Sequence, residues 1–184
     1  MTEHPHQLYA IDFTEADQVR LVGFSCGEEG WSRAATEWIL GSDASEALKR
    51  NRVWLFETTD GTIVGFGSLG TTTWRWPPPR GKESSPVVLI PMLGIEQRYR
   101  GVPADQEWRY SRQIMSHLIA EAERIVREWK EPGPRPQRLV LMVHRDNTRA
   151  IRAYERCGFE MIRNQAGNLA ERKAHLLMKL RIGE

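Results

Sequence analysis

Cys26 and Cys157 are the only cysteines in 184 residues, too few for a disulfide scaffold; their scarcity fits a reducing compartment. No apolar run approaches the ~20 residues that span a bilayer. The longest, over 87–94, is interrupted by Pro91. The opening MTEHPHQLYAIDF has no basic stretch leading into an apolar one, which argues against a signal peptide. A soluble cytoplasmic protein with no membrane partner is expected. Neither charge sign dominates: 26 Lys+Arg face 24 Asp+Glu, a net charge of +2, so no nucleic-acid partner is expected. The five histidines and two cysteines lack metal-ligand spacing, so no metal is expected either.

What is present is enough chain for one domain, 1–184, with a substantial core. Residues 7–13 read as a strand and 14–50 as largely helical, with pieces over 31–39 and 45–50 and Thr14 as a cap. Two β-rich runs then flank Asp60-Gly61, a hairpin signal. Residues 71–86, with Trp74, Trp76 and Pro77–Pro79, read as a stiff loop, and 87–96 as a buried strand. Pro91 cannot donate to a ladder, which predicts a bulge or splay there. Apolar residues at helical spacing mark 109–130 as a long helix. Strand 138–143, helix 147–157 and strands over 159–163 and 172–180 complete the chain. Strand–helix–strand units beside a hairpin predict a mixed α/β sheet.

Two segments carry chemistry. In the first, Asn147 follows a strand and opens a helix, where its side chain can cap free N–H groups. Ala150 and Tyr154 share a face one turn apart, leaving room for something thin. Gly158 sits where a helix ends in a left-handed residue. In the second, Leu93-Gly94-Ile95-Glu96 ends a strand, and Arg98-Tyr99-Arg100-Gly101 leads toward the long helix. Donors at a helix N-terminus form an anion site, and glycine permits close backbone approach.

The spacing Asn147-x-x-Ala150-x-x-x-Tyr154-x-x-x-Gly158-Phe159 resembles a motif of the GNAT superfamily of N-acetyltransferases. The resemblance implies an α/β fold with a mixed, mostly antiparallel sheet, a central parallel pair splayed to hold acyl-CoA, and flanking helices. It implies acetyl-CoA as cosubstrate, and a small-molecule or peptide primary amine as acceptor. Asn147, Ala150 and Tyr154 would lie beside pantetheine, and Tyr154 would protonate the departing thiolate. The backbone of Leu93, Gly94 and Ile95 would pair with pantetheine amides. The family's glycine-rich phosphate turn is split here: after Gly101, residues 102–108 intervene and the small-residue position falls on Ser111. Arg100, Arg109 and Arg112 would then supply by charge what glycine-lined backbone supplies elsewhere. A general base is not evident; Glu96 and His144, each at a strand end, are the candidates. The split turn and the missing base favour an alternative, a non-catalytic GNAT-fold module that binds acyl-CoA or a protein. For the tryptophan–proline loop, an acceptor-site border, an apolar surface patch and a homodimer contact all remain open.

Overall fold

The computed structural model describes residues 7–75, 84–101, 110–163, 168–169, 171–172 and 174–183, the last pair before the gap at 173 by backbone only. The order is β1 (Tyr9–Asp12), a 3-10 helix (Glu15–Leu21), α1 (Gly30–Leu40), α2 (Ser42–Leu48), β2 (Asn51–Glu57), β3 (Ile63–Arg75), β4 (Ser84–Ile90) and β5 (Leu93–Ile95). A 3-10 turn (Gln97–Tyr99), α3 (Tyr110–Arg127), β6 (Arg138–His144), α4 (Thr148–Arg156), β7 (Glu160–Met161), β8 (Glu171–Arg172) and β9 (His175–Arg181) follow. The fold is mixed α/β, mostly antiparallel, with β4 and β6 as its parallel pair. The chain forms two compact units, Met1–Ser68 with Met92–Leu118, and Leu69–Pro91 with Ile119–Glu184; β3 and α3 each begin in the first and end in the second.

In the first unit β2 lies between β1 and β3, and β5 pairs with the start of β3. The Asp60-Gly61 turn forms as expected: Gly61 takes φ +79°, Thr58 N donates to Thr62 O, and Asp60 Oδ1 accepts from Thr62 N. Residues 14–50 are less helical than their pattern suggests. The first piece is a 3-10 helix, and positive φ at Gly23 and Gly27 lets 22–29 turn irregularly before α1. The core gathers Phe13, Leu21, Ile39, Leu55 and Phe66, all buried. Two glycines let β3 be approached closely. A Cβ on Gly65 would sit 2.6 Å from Gly94 O, and one on Gly67 3.0 Å from the Leu118 side chain.

In the second unit the order is β3–β4–β6–β9–β7, with β8 on β9. Val88, Leu89 and Ile90 align with Leu139, Val140 and Leu141 in parallel, and β9 runs antiparallel along the whole of β6. The expected loop over 71–86 is corrected at both ends. Thr71–Arg75 continue β3 and pair with 84–88, because threonine and tryptophan suit a pleated surface better than a coil. Trp74 packs with Val87, Val140, Ile162 and Leu177. Trp76 and Pro77–Pro79 lie outside the described residues. The single strand expected over 87–96 is two strands, interrupted at Pro91-Met92.

Candidate active site

The first unit carries the segment from Leu93 to Gly101 and the opening of α3. Gly94 is buried in β5 opposite Phe66, and a Cβ there would press on the Phe66 ring and stand 2.6 Å from Cys26 Sγ. Phe66 cannot retreat, since Trp38 stacks on it at 5.7 Å and Phe24 meets its edge at 6.1 Å. Burial pushes the Cys26 thiol up to about 11, so it stays protonated.

The charged groups of this segment are already engaged. Glu96 is 4% exposed, and its carboxylate caps the following turn by accepting from Arg98 N (3.0 Å) and Arg98 Nε (3.1 Å). Arg100 donates from Nη2 to Ser32 Oγ (2.8 Å) and from Nε to Ile95 O (3.3 Å), and pairs through Nη1 with Glu29 (3.4 Å). These contacts tie the end of β5 to the start of α1. Gly101 turns with φ +74°. Ser111 and Arg112 lie in the first turn of α3, Ser111 half-buried and Arg112 exposed. Arg109 and the inserted residues 102–108 lie outside the described residues.

The second unit carries α4. Asn147 caps it, its Oδ1 accepting from Ala150 N at 3.1 Å, and Ala150 and Tyr154 follow on one face. The helix ends in a paired stop: Gly158 takes φ +89°, Gly158 N donates to Glu155 O, and Phe159 N donates to Tyr154 O at 3.1 Å. The buried Phe159 ring stands 6.1 Å from that of Tyr154. The Gly158-Phe159 pair thus holds the Tyr154 backbone and ring, a role visible in the spacing only as a stop signal. Tyr154 is half-buried, and its hydroxyl has no hydrogen-bond partner among the described residues. Burial first, and Cys157 second, push its phenol up to about 12.

His144 ends β6 three residues before Asn147, its Nδ1 accepting from Asp146 N at 3.3 Å. Its ring meets the edge of His175, its register partner on β9, at 5.5 Å. The structure brings Asn147, Ala150 and Tyr154 onto one short helix. In the first unit it gathers Leu93, Gly94, Ile95, Glu96 and Arg100.

A family model for the acetyltransferase (GNAT) family matches residues 25–159, spanning both segments. The chain belongs to that family. No curated protein matches it by sequence. Among solved structures it resembles AtaT complexed with acetyl-methionyl-tRNAfMet, with 16% identity, TM-score 0.65, and 95% of each chain covered. It resembles AtaTR bound with AcCoA at 16% identity and TM-score 0.64, over 95% of this chain and 92% of that one. It also resembles the ribosomal-protein-S18-alanine N-acetyltransferase from Escherichia coli at 15% identity and TM-score 0.57, over 97% and 96%. At such identities the likeness is one of fold. Among the described residues, no helix is long and apolar enough to cross a membrane.

Proposed function

We propose that this GNAT-family protein is an N-acetyltransferase, its 184 residues working as one domain that moves acetyl from acetyl-CoA to a primary amine. The observation that carries the reading is Tyr154: a half-buried phenol on the capped helix α4, its hydroxyl without a hydrogen-bond partner among the described residues, and its pKa raised so that it stays protonated. Transfer forms an amide bond and breaks the thioester. The amine loses a proton and the CoA thiolate gains one. Tyr154 donates that second proton, held in place by the Asn147 cap and the Gly158-Phe159 stop. Backbone groups of Leu93, Gly94 and Ile95 are the proposed partners of the pantetheine amides. Ser111 and Arg112 at the start of α3, with Gly101 and Arg109, are proposed for the pyrophosphate. Arg100 is better read as a brace, because its donors are spent on Ser32, Ile95 and Glu29.

Neither Glu96, held by Arg98, nor His144, whose Nδ1 accepts a backbone N–H, is free to take the amine's proton through those atoms. The proposal therefore has the amine arrive neutral or pass its proton to water. The same engagement favours the second reading, a non-catalytic acyl-CoA-binding module.

Thermal unfolding with and without acetyl-CoA tests the first step, since a ligand of the native state adds RT ln(1+[L]/Kd). A rise in Tm at millimolar acetyl-CoA is expected, and no rise would remove acyl-CoA from the account. Release of free thiol is then followed over a panel comprising small amines, a peptide N-terminus and an aminoacyl-tRNA. The panel follows from the resemblance to an S18-alanine N-acetyltransferase and to a complex with acetyl-methionyl-tRNAfMet. A Tm rise without turnover on any acceptor would establish the binding module.

A further inference from the structure

α4 has a second face. At 100° per residue, Arg149, Arg152 and Arg156 fall within about 60° of arc, opposite the face that carries Ala150 and Tyr154. All three are exposed, and none has an ion-pair or hydrogen-bond partner among the described residues. Arg20, Arg52, Arg98, Arg100 and Arg124 are each held by a carboxylate, whereas Arg50, Arg75, Arg127 and Arg135 share the state of the α4 arginines but lie on separate segments, so only α4 gathers three on one face. The chain's net charge of +2 thus conceals a local excess of guanidinium on one short helix, three arginines against the single carboxylate of Glu155.

From this we infer that the outer face of α4 is a docking surface for the phosphate backbone of RNA. The three side chains rise about 4.5 Å and 6 Å apart along the helix axis, a spacing on the scale of successive phosphates in one strand. All three are arginine and none is lysine. The planar fork suits bidentate contact with phosphate and can stack on splayed bases, which RNA loops present and duplexes do not. A membrane fits less well. Interfacial helices need an accessible apolar face, and that of α4 carries Ala150, Tyr154 and Ile151, all half-buried or deeper. The inference rests on α4 alone and does not depend on acyl transfer.

Fluorescence anisotropy with a labelled RNA hairpin tests it, comparing the full chain with the triple variant R149Q/R152Q/R156Q. The wild type is expected to bind with a log–log salt slope near −2, a loss of about fifteenfold between 50 and 200 mM salt. The triple variant should weaken binding at low salt by at least about tenfold and flatten that slope. The lysine triple R149K/R152K/R156K should retain most of the slope and lose affinity. The melting temperature of the glutamine triple and its response to acetyl-CoA should match the wild type, because the three residues are exposed. Four results overturn the inference. These are no salt-sensitive RNA binding by the wild type; equal binding by the triple variant; loss of the acetyl-CoA response in the triple variant, which would give the stripe to the cosubstrate; and stronger binding to poly-glutamate or anionic vesicles than to RNA.

Discussion

The segment from Leu93 to Gly101 and helix α4 both carry family-like residues, yet they keep them in opposite states. Along the first, the polar groups are consumed by the fold: Glu96 caps a turn and holds Arg98, and Arg100 braces α1. Gly94 is a packing residue as much as a docking one, locked against Phe66 and Cys26. On α4 the scaffold is satisfied by backbone and by Asn147, leaving the Tyr154 hydroxyl and three arginines without partners among the described residues. Groups already paired lose those partners before they can serve a ligand, whereas unspent groups lose only water. A family motif can therefore be present in both places while its polar side chains are left unpaired, among the described residues, in just one.

The largest expected effect tests the available side. Tyr154→Phe should lower kcat about hundredfold, the scale of one general acid, while leaving the acetyl-CoA response of Tm in place. An unchanged kcat would take Tyr154 out of the mechanism. The same residue sets a pH dependence. Its folded pKa, raised to about 12 from 10, favours the protonated phenol in the folded state. That contribution to stability is complete below pH 10 and is lost as the pH climbs toward 12. Urea titrations at pH 9 and pH 11 should show the wild type losing more stability than Tyr154→Phe.

On the consumed side, Gly94→Ala should destabilise the protein by about 3 kcal/mol, since the added methyl meets two buried side chains that cannot move. Urea denaturation measures it. A neutral result would mean that β5 is looser than its packing implies.

How much of this was legible in the sequence follows from the same division. Helical spacing located α3, the Asn cap and Gly stop located α4, an apolar run located β6 and the Asp-Gly pair located the turn, because each depends on local chemistry. The N-cap and helix stop around Tyr154 were readable for the same reason. Thr71–Arg75 were hidden because tryptophan and proline nearby read as loop, whereas pairing with 84–88 is a tertiary fact. The contacts of Arg100 were hidden for a related reason. An arginine beside a phosphate-turn pattern suggests an anion, and nothing local reveals Ser32 sixty-eight residues earlier. Gly65 and Gly67 carried a signal, two glycines in a strand, whose meaning as contact points for β5 and α3 needed the partners.

Arg100→Ala sharpens the comparison most directly, with a smaller effect. As a brace, Arg100 leaves Ser32, Glu29 and Ile95 O without its donors when removed, and the loss should be about 2 kcal/mol with little change in acetyl-CoA affinity. Arg100→Lys should restore only part of it, because a point charge cannot reproduce three divergent contacts. Calorimetric titration of acetyl-CoA into both variants reads the alternative. A tenfold rise in Kd with unchanged stability would make Arg100 a ligand residue, and the contrast between the two segments would collapse.

The smallest effect lies at the start of α4. Asn147→Ala removes the acceptor for Ala150 N and should cost about 1 kcal/mol, while Asn147→Asp, which keeps the oxygen, should cost less. Both are read by urea denaturation. If Asn147 is a cap and nothing more, kcat for Asn147→Asp should match the wild type and kcat for Asn147→Ala should fall no more than about twofold. A fall for Asn147→Asp at unchanged stability would mean that the amide nitrogen, which the cap does not use, has a partner of its own in the working complex. α4 would then carry one more unspent group than its contacts reveal.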